Sequence, residues 1–558
     1  MEYYDLGSHG RPVTTDSAEA QLWFDRGLVW TYAFHHEEAV ACFEKAAAAD
    51  PDCAMAHWGI AYASGPNYNK PWEFFDDRDL ARTVRRTHAA VESAHEKAAA
   101  RATEVERALI GALRARYPQA EPAEDCAVWN APYADSMRAV HELAPDDLDV
   151  ATLYADALMN LTPWQLWDLR TGEPADGART REARAVLERA LTGATGRTHP
   201  GIVHLYIHLM EMSPTPELAL SVADLLRGLV PDAGHLLHMP SHLEVLCGDY
   251  RRVVADNSAA IAADEKVRAR AGAMNFYTLY RSHNYHFKIY GAMFLGQSQT
   301  ALETAAQLEA SIPEELLRVE SPPMADWLEG FLAMRVHVLI RFGRWTDILD
   351  LPLPADPRLY CVTTAMLHYA RGVALSALGR ITEAEGERAL FLEAVAEVPG
   401  TRMLFNNTCG DILAIASAML DGELAYRKGD FDTAFAALER SVELDDNLPY
   451  DEPWGWMQPT RHAYGALLLE RGHLAEAEAV YRADLGLDDT LPRPLQHPGN
   501  VWALHGLHEC LVRGKKEGEA RIVAQQLRIA AALADVPVEA SCFCRLETGS
   551  AEAPGCCG

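Results

Sequence analysis

Several things are missing from this 558-residue chain, and each absence narrows the reading. No apolar run approaches the roughly 18 residues of a membrane-crossing helix. The start, Met1-Glu-Tyr-Tyr-Asp-Leu-Gly, has neither a basic n-region nor an apolar core, so no secretory or mitochondrial address is visible and the expected location is cytoplasmic. Positive charge is short, with 50 Lys and Arg against 80 Asp and Glu, a formal net charge of −30. A surface of that sign repels phosphate, which argues against nucleic acid and membrane as partners. The chain lacks a Walker loop, a dinucleotide fingerprint, a nucleophile elbow and a kinase signature. Convincing apolar–polar alternation is also lacking, so a sheet is not expected.

Cysteine is sparse except at the end. Seven of the eleven stand singly in helical-looking segments, as reduced buried thiols do, and four crowd into the tail as Cys542, Cys544, Cys556 and Cys557. Two thiolates at i, i+2 in Cys542-Phe-Cys544 suit a soft metal or a redox pair; the plain alternative is an inert terminal pair.

What the sequence has is a period. Trp23, Gly27, Ala39, Phe43, Ala46 and Pro51 stand at the consensus spacing of a tetratricopeptide repeat (TPR). Gly27 and Ala39 should let two antiparallel helices approach, Trp23 and Phe43 should fill the gap, and Pro51 should end the second helix. Asp16 with Glu19 reads as an acidic capping box. Ala434, Ala477 and the helix around Ala520 repeat the pattern 43 residues apart, with an inserted loop that carries Trp454 and Trp456. Weaker copies run through Gly248, Gly296, Gly343 and Gly379. The predicted fold class is all-α, a TPR-like α-solenoid of antiparallel helix pairs, continuous over residues 1–545, with 546–558 a flexible cysteine-containing tail.

Histidine is the anomaly, since seven of the 22 fall between 204 and 286. His204, His208 and Glu211 share one face of a predicted helix. His235, His238 and His242 straddle a break at Pro240, where Ser241 and Glu244 read as a capping box that puts His242 in a first helical turn; there the helix dipole favours neutral, metal-binding imidazole. His283 and His286 form an i, i+3 pair near Tyr277 and Tyr280. Three groups on successive helices can converge on a metal or acid–base site, with His208, His238 and His286 expected near a common point. The bland alternative is a hydrogen-bonded network along a groove. His35 and His36 precede Glu37 at a predicted helix start, and Gly65-Pro-Asn67-Tyr68-Asn69 reads as a turn facing the groove.

The phrases Phe34-His-His-Glu-Glu-Ala39, Ala54-Met-Ala-His-Trp-Gly59, Gly65-Pro-Asn-Tyr-Asn69, His204-Leu-Tyr-Ile-His208, His238-Met-Pro-Ser-His242, His283-Asn-Tyr-His286 and Glu452-Pro resemble a large bacterial family of TPR proteins related to tetratricopeptide repeat protein 38. The resemblance spans Asp5 to about Cys544 and implies a TPR-like superhelix without a settled activity. It matches His36, rather than His35, to the family's histidine, and Ser541-Cys-Phe-Cys544 to a phrase that often ends its members.

The expected function is a metal-dependent oxidoreductase acting on a small molecule in a concave histidine-rich groove. Candidate metal ligands are His204, His208, Glu211, His238, His242, His283, His286, Cys542 and Cys544, with copper or iron ahead of zinc. Substrate-groove candidates are His36, Asn67, Tyr68, Asn69 and Tyr280. The rival reading is a non-catalytic scaffold that binds a peptide or partner protein. Peptide grooves of this fold favour Lys, Arg and Asn clamps, whereas this one is rich in His and Tyr.

Overall fold

Phe43 sits where three helices meet, and two glycines make the room. In the computed structural model, which describes residues 3–545, a Cβ on Gly27 would stand 2.7 Å from the Phe43 ring and one on Gly59 2.4 Å from it. Both distances are too short for carbon atoms, so the helices Ala18–Tyr32, His36–Ala49 and Ala54–Ser64 pack at a spacing only glycine permits. Phe24, with its ring 5.4 Å from that of Phe43, fills the rest of the gap. Trp23, expected there, is half-buried and lies beside the cationic groups of Arg26 and Lys45 instead. The helical period explains the correction: residues 20, 24, 27 and 28 face inward, and residue 23 does not. The helix also starts one residue later than expected. Ser17 is its N-cap, accepting from the Ala20 amide, while Asp16 pairs with Arg101 at the surface.

The same steric device recurs near the C-terminus. A Cβ on Gly465 or Gly506 would stand 2.5 or 2.2 Å from the Tyr481 ring, and one on Gly422 2.7 Å from Leu438. The helix pairs Cys409–Arg427 with Phe431–Asp446, Thr460–Arg471 with Leu474–Asp484, and Val501–Arg513 with Glu517–Ala531 place Ala434, Ala477 and Ala520 at equivalent buried positions. Gly472, at φ 82°, adopts the left-handed conformation that ends a helix and turns the chain into its partner.

The chain divides into two compact units: Met1–Leu243, Asp256–Arg281 and Val319–Pro323 make the first, and Glu244–Ala255, Ser282–Arg318 and Met324–Gly558 the second. The first is built on helix pairs such as Glu104–Arg116 with Asn130–Leu143 and Leu148–Met159 with Thr180–Leu191; the second adds Cys361–Ala377 with Ile381–Ala396 to the repeats above. Both are all-α and of TPR-like helix-pair type, and helix makes up 68% of the structure. Among the described residues the only strands are Met403–Leu404 and Asn407–Thr408, one short antiparallel hairpin. No described helix is long and apolar enough to cross a membrane. The expected tail at 546–558, with Cys556 and Cys557, lies outside the described residues.

Candidate metal centre

The helix Pro200–Glu211 is buried along its whole length. His199 caps it, its Nδ1 accepting from the Ile202 amide at 3.3 Å, and Pro200 occupies the first helical position. Spacings of four and three residues then put His204, His208 and Glu211 on one face. Two short helices, Gly234–His238 and Pro240–Cys247, bring in His235, His238 and His242. Pro240 opens the second of these, so Ser241 lies inside the helix and not at its cap. Its hydroxyl donates back to the His238 carbonyl at 2.7 Å.

All five imidazoles and the carboxylate are buried, and the outer nitrogens of four rings are fixed in turn. His204 Nδ1 donates to the Tyr32 carbonyl at 2.6 Å. His208 Nδ1 donates to Glu211 Oε1 at 3.0 Å, and His242 Nδ1 to Glu211 Oε2 at 2.7 Å. His238 Nδ1 meets Asn257 Oδ1 at 2.7 Å, and Asn257 Nδ2 meets the Ser241 hydroxyl at 3.0 Å. The Tyr32 carbonyl and the Glu211 carboxylate only accept, so Nδ1 of His204, His208 and His242 carries the proton and their Nε2 atoms are acceptors. The Nε2 atoms then meet: His204 and His235 at 3.1 Å, His238 and His242 at 2.6 Å. Ligating nitrogens of His204, His208 and His235 all lie within 4.8 Å of one another.

Such an arrangement suits a cation. Histidines that bind a metal commonly give their outer N–H to a carboxylate or carbonyl, and two nitrogens at about 2.0–2.1 Å from one ion are about 3 Å apart. Burial, with repulsion from neighbouring rings, pushes His208, His235 and His238 well below the usual imidazole range; burial likewise takes His204 to about 3. The rings are therefore neutral, the form that coordinates. Glu211 stands behind the imidazoles as an acceptor for two of them. That position differs from the direct ligand role expected for it in a histidine–carboxylate iron site.

A second histidine group shows the opposite pattern. His9 Nε2 and His199 Nε2 both contact Asp149 Oδ1, at 3.1 and 3.0 Å, and Tyr32 and Arg11 bond the same carboxylate. There the inward nitrogens face an acceptor and each other's lone pairs do not meet, which makes a satisfied structural network.

Aromatic rings wall the cluster. Phe34 has φ 53°, a left-handed conformation just past the first helix where glycine is usual. Its ring stacks on His208 and His235 at 5.7 and 5.5 Å and meets His204 edge-on at 4.5 Å. Tyr68 lies 5.0 Å from His208, and Trp164, also left-handed at φ 59°, stacks on Tyr68. Tyr280 packs edge-on against His235 at 5.2 Å.

On the other side of Phe34 and Tyr280 lies a cavity of about 430 Å³, lined also by His36, Glu37, Asn67, Lys70 and Tyr277. His36 Nδ1 donates to the Ala63 carbonyl at 3.1 Å. Asn67 Oδ1 accepts from the amides of Asn69 and Lys70, which shapes the 65–70 turn. Lys70 Nζ pairs with Asp79 at 2.7 Å and sits over the Phe75 ring. Of the groove candidates, His36, Asn67 and Tyr280 line this cavity and Tyr68 packs on the cluster, while Asn69 gives its backbone amide to the turn. His35 is a cap, accepting from the Glu38 amide and stacked on Tyr277.

The remaining candidates belong to the second unit. His286 Nε2 lies 2.8 Å from Met457 Sδ, and His283 packs on Phe405. Cys542 and Cys544 are joined to each other as a disulfide, and sulfurs so bonded offer no thiolate. The tail around them is seated on helices. Arg341 donates to the Ser541 carbonyl and Arg427 to the Cys544 carbonyl. Ser541 Oγ meets Tyr481 Oη at 2.5 Å and the His462 carbonyl at 2.9 Å, and Arg545 forks onto Glu509 at 2.6 and 2.9 Å.

No family model matches the chain, and no curated protein matches it. The relation to tetratricopeptide repeat protein 38 thus finds no support there. Solved structures are similar over most of the length. Naa15/Naa10 bound to HypK-THB is 13% identical, covering 92% of this chain and 70% of that one with a TM-score of 0.20. Yeast Tom70 is 10% identical, covering 91% of this chain and 99% of that one with a TM-score of 0.29. Scores this low carry nothing about ligand or activity, and the fold class rests on the helix pairs themselves.

Proposed function

We propose that the first unit of this TPR-like protein is a metal-binding unit that presents its ion to a ligand of small-molecule or peptide-side-chain size in the adjoining cavity. One observation carries the reading: the buried Nδ1 atoms of His204, His208 and His242 donate to acceptors, which leaves their Nε2 atoms as the acceptors, and nitrogens of His204, His208 and His235 lie within 4.8 Å of one another. His204, His208 and His235 are the ligand set. A site with only nitrogen donors favours copper over iron, with zinc also accommodated. Bound copper supplies oxidative chemistry, and the chain's part is to orient the rings, keep water out with Phe34, Tyr68 and Trp164, and hold the ligand beside Phe34 and Tyr280. Metal content of protein purified without a histidine tag tests this. The reading requires a stoichiometric transition metal that His208→Gln depletes; metal-free protein that fails to take up copper or zinc overturns it.

A second reading, a peptide-holding scaffold, is favoured for the second unit by the way that unit holds its own tail. Arginine clamps on two backbone carbonyls, Arg341 and Arg427, are the recognition chemistry of a peptide groove. The two readings concern different units and are compatible.

A further inference from the structure

The second unit holds a groove that neither reading uses. Its volume is about 1,020 Å³, and every residue that lines it belongs to that unit. Phe294 lines it as part of a run of stacked rings, 4.9 Å from Tyr250 and 5.3 Å from His497. Leu485, Leu487 and Leu504 come from the segments before the last helix, and Ile529, Ala530 and Leu533 from that helix and its end. The groove is built into the fold. Gln297 Nε2 donates to the Leu533 carbonyl at 3.0 Å and the Asp535 amide to the Gly296 carbonyl at 3.2 Å, which fixes the end of the last helix against the helix that carries Phe294. Gly248, at φ 79°, lies so close to Pro498 that a Cβ there would stand 2.4 Å from its carbonyl oxygen. Apolar surface is nevertheless left in water, with Leu487 51% exposed and Ile529 65%.

Charge selects the ligand. In a chain of net charge −30 the lining carries two exposed arginines, Arg251 and Arg528, and among the described residues neither guanidinium is engaged by a carboxylate, a carbonyl or a ring. Asp249, the one acidic residue in the lining, is already matched. Its Oδ1 accepts from the Arg252 amide at 3.2 Å and its Oδ2 lies 3.5 Å from Arg252 Nε. A free guanidinium is a planar fork that fits the two oxygens of a carboxylate. We propose that this groove binds a free long-chain monocarboxylate, its hydrocarbon against Phe294, Leu504 and Ile529 and its head on Arg251 or Arg528. The volume is that of a small-molecule site, and the net negative charge turns the chain away from an anionic bilayer. Both favour one free ligand over a membrane surface. The site shares no residue with the histidine cluster, so it stands whether or not the metal reading does.

Calorimetric titration of the full-length chain with octanoate, decanoate and dodecanoate, each below its micelle concentration, tests the proposal. One molecule per chain is expected, with affinity rising about fourfold for each added methylene that is buried. Arg251→Ala/Arg528→Ala should lower the preference for decanoate over decanol about fivefold, the upper end for an exposed ion pair. Ile529→Asp should weaken both ligands. All three positions are exposed, and circular dichroism checks that helicity is kept. Two further arms separate the other occupants: sedimentation with phosphatidylglycerol vesicles, and light scattering for a dimer. Absence of carboxylate binding overturns the proposal, and so does binding that none of the variants alters. An unchanged decanoate preference in the arginine variant removes the charge argument on which the ligand class rests. Vesicle binding or a dimer that Ile529→Asp abolishes, without binding of the free carboxylates, gives the groove to a membrane or to a second copy of the chain instead.

Discussion

Glu211 reaches His242 across 31 residues of sequence, its Oε2 accepting the Nδ1 proton at 2.7 Å inside a fully buried pocket. Its other oxygen accepts from His208 three residues before it. A carboxylate is the side chain that can do both, because both of its oxygens are acceptors.

Glu211→Gln should therefore separate orientation from packing. The amide is nearly isosteric, but only one of its termini accepts, so one of the two histidines loses its fixed tautomer. Loss of such an orienting partner typically weakens metal affinity about 10- to 100-fold. Competition with a chromogenic chelator should show that loss with helicity unchanged. Wild-type affinity in Glu211→Gln would mean that Glu211 only fills space.

Phe34 holds a left-handed backbone at a place where its ring covers three cluster histidines. A strained non-glycine residue of this kind costs on the order of 1–3 kcal/mol, and here the ring lies between the cavity and the histidine cluster. Phe34→Gly relieves the backbone and removes the cover; Phe34→Ala removes the cover and keeps the strain. Both should speed metal loss to a chelator at least about tenfold, and Phe34→Gly should melt higher than Phe34→Ala. Equal melting temperatures would contradict the strain argument.

The repeats were legible because their signals are steric and local. Gly27, Phe43, Gly465 and Tyr481 can be read from spacing, since a missing Cβ and a large ring at fixed offsets have few other uses. The histidine groups were legible for the same reason, as helical spacing puts 204, 208 and 211 on one face. What fixes their chemistry was not. Tyr32 offers a backbone carbonyl, which no sequence pattern marks, and Asn257 is a lone amide in the middle of a helix. Trp164 and the stacking role of Phe34 depend on tertiary placement, and His235, noted in its group but left out of the expected ligands, lies with His204 and His208, their nitrogens within 4.8 Å of one another. Trp23 and Asp16 were misplaced by one position because a consensus spacing fixes the repeat without fixing the phase of each helix.

The glycines give a contrast in sign. Gly422→Ala should destabilise by about 1–3 kcal/mol, since the new methyl meets Leu438 at 2.7 Å. Gly386 lies inside the helix Ile381–Ala396 with nothing within 4 Å of a Cβ. Gly386→Ala should stabilise by about 0.5–1 kcal/mol through helix propensity alone. Urea titration of the two variants checks both signs.

Asp445 makes the pH dependence of the second unit testable. It is buried and accepts from Trp454 Nε1 at 3.0 Å and from the Thr460 amide at 3.2 Å. Burial, with repulsion from Asp446, pushes its carboxyl up to about 6. The folded state thus takes a proton more readily than the unfolded state, whose aspartate titrates near 4. Its contribution is full below about pH 4 and is lost as the pH rises through 6, a change of about 3 kcal/mol. Asp445→Asn has no such titration. Measured by urea unfolding at pH 4 and pH 7.5, the stability difference between variant and wild type should shift by about 2–3 kcal/mol in the variant's favour at the higher pH. A constant difference would show that the hydrogen bonds keep Asp445 ionised throughout.

Ser541 tests whether the second unit holds peptides. Its carbonyl is clamped by Arg341 and its hydroxyl lies between Tyr481 and the His462 carbonyl, so the tail occupies the groove as a ligand would. A tethered segment competes at an effective concentration on the order of millimolar, which hides the groove from a free peptide in the intact chain. A chain stopped after Glu539 should bind a synthetic peptide of residues 540–545, seen by fluorescence anisotropy, while the full-length chain should not. Arg341→Ala in the shortened chain should weaken that binding at least about tenfold, because a charged hydrogen bond to a buried carbonyl contributes about 1.5–3 kcal/mol. If the shortened chain ignores the peptide while keeping its helicity, the arginine contacts are a structural cap on the last repeat, and the scaffold reading loses its support.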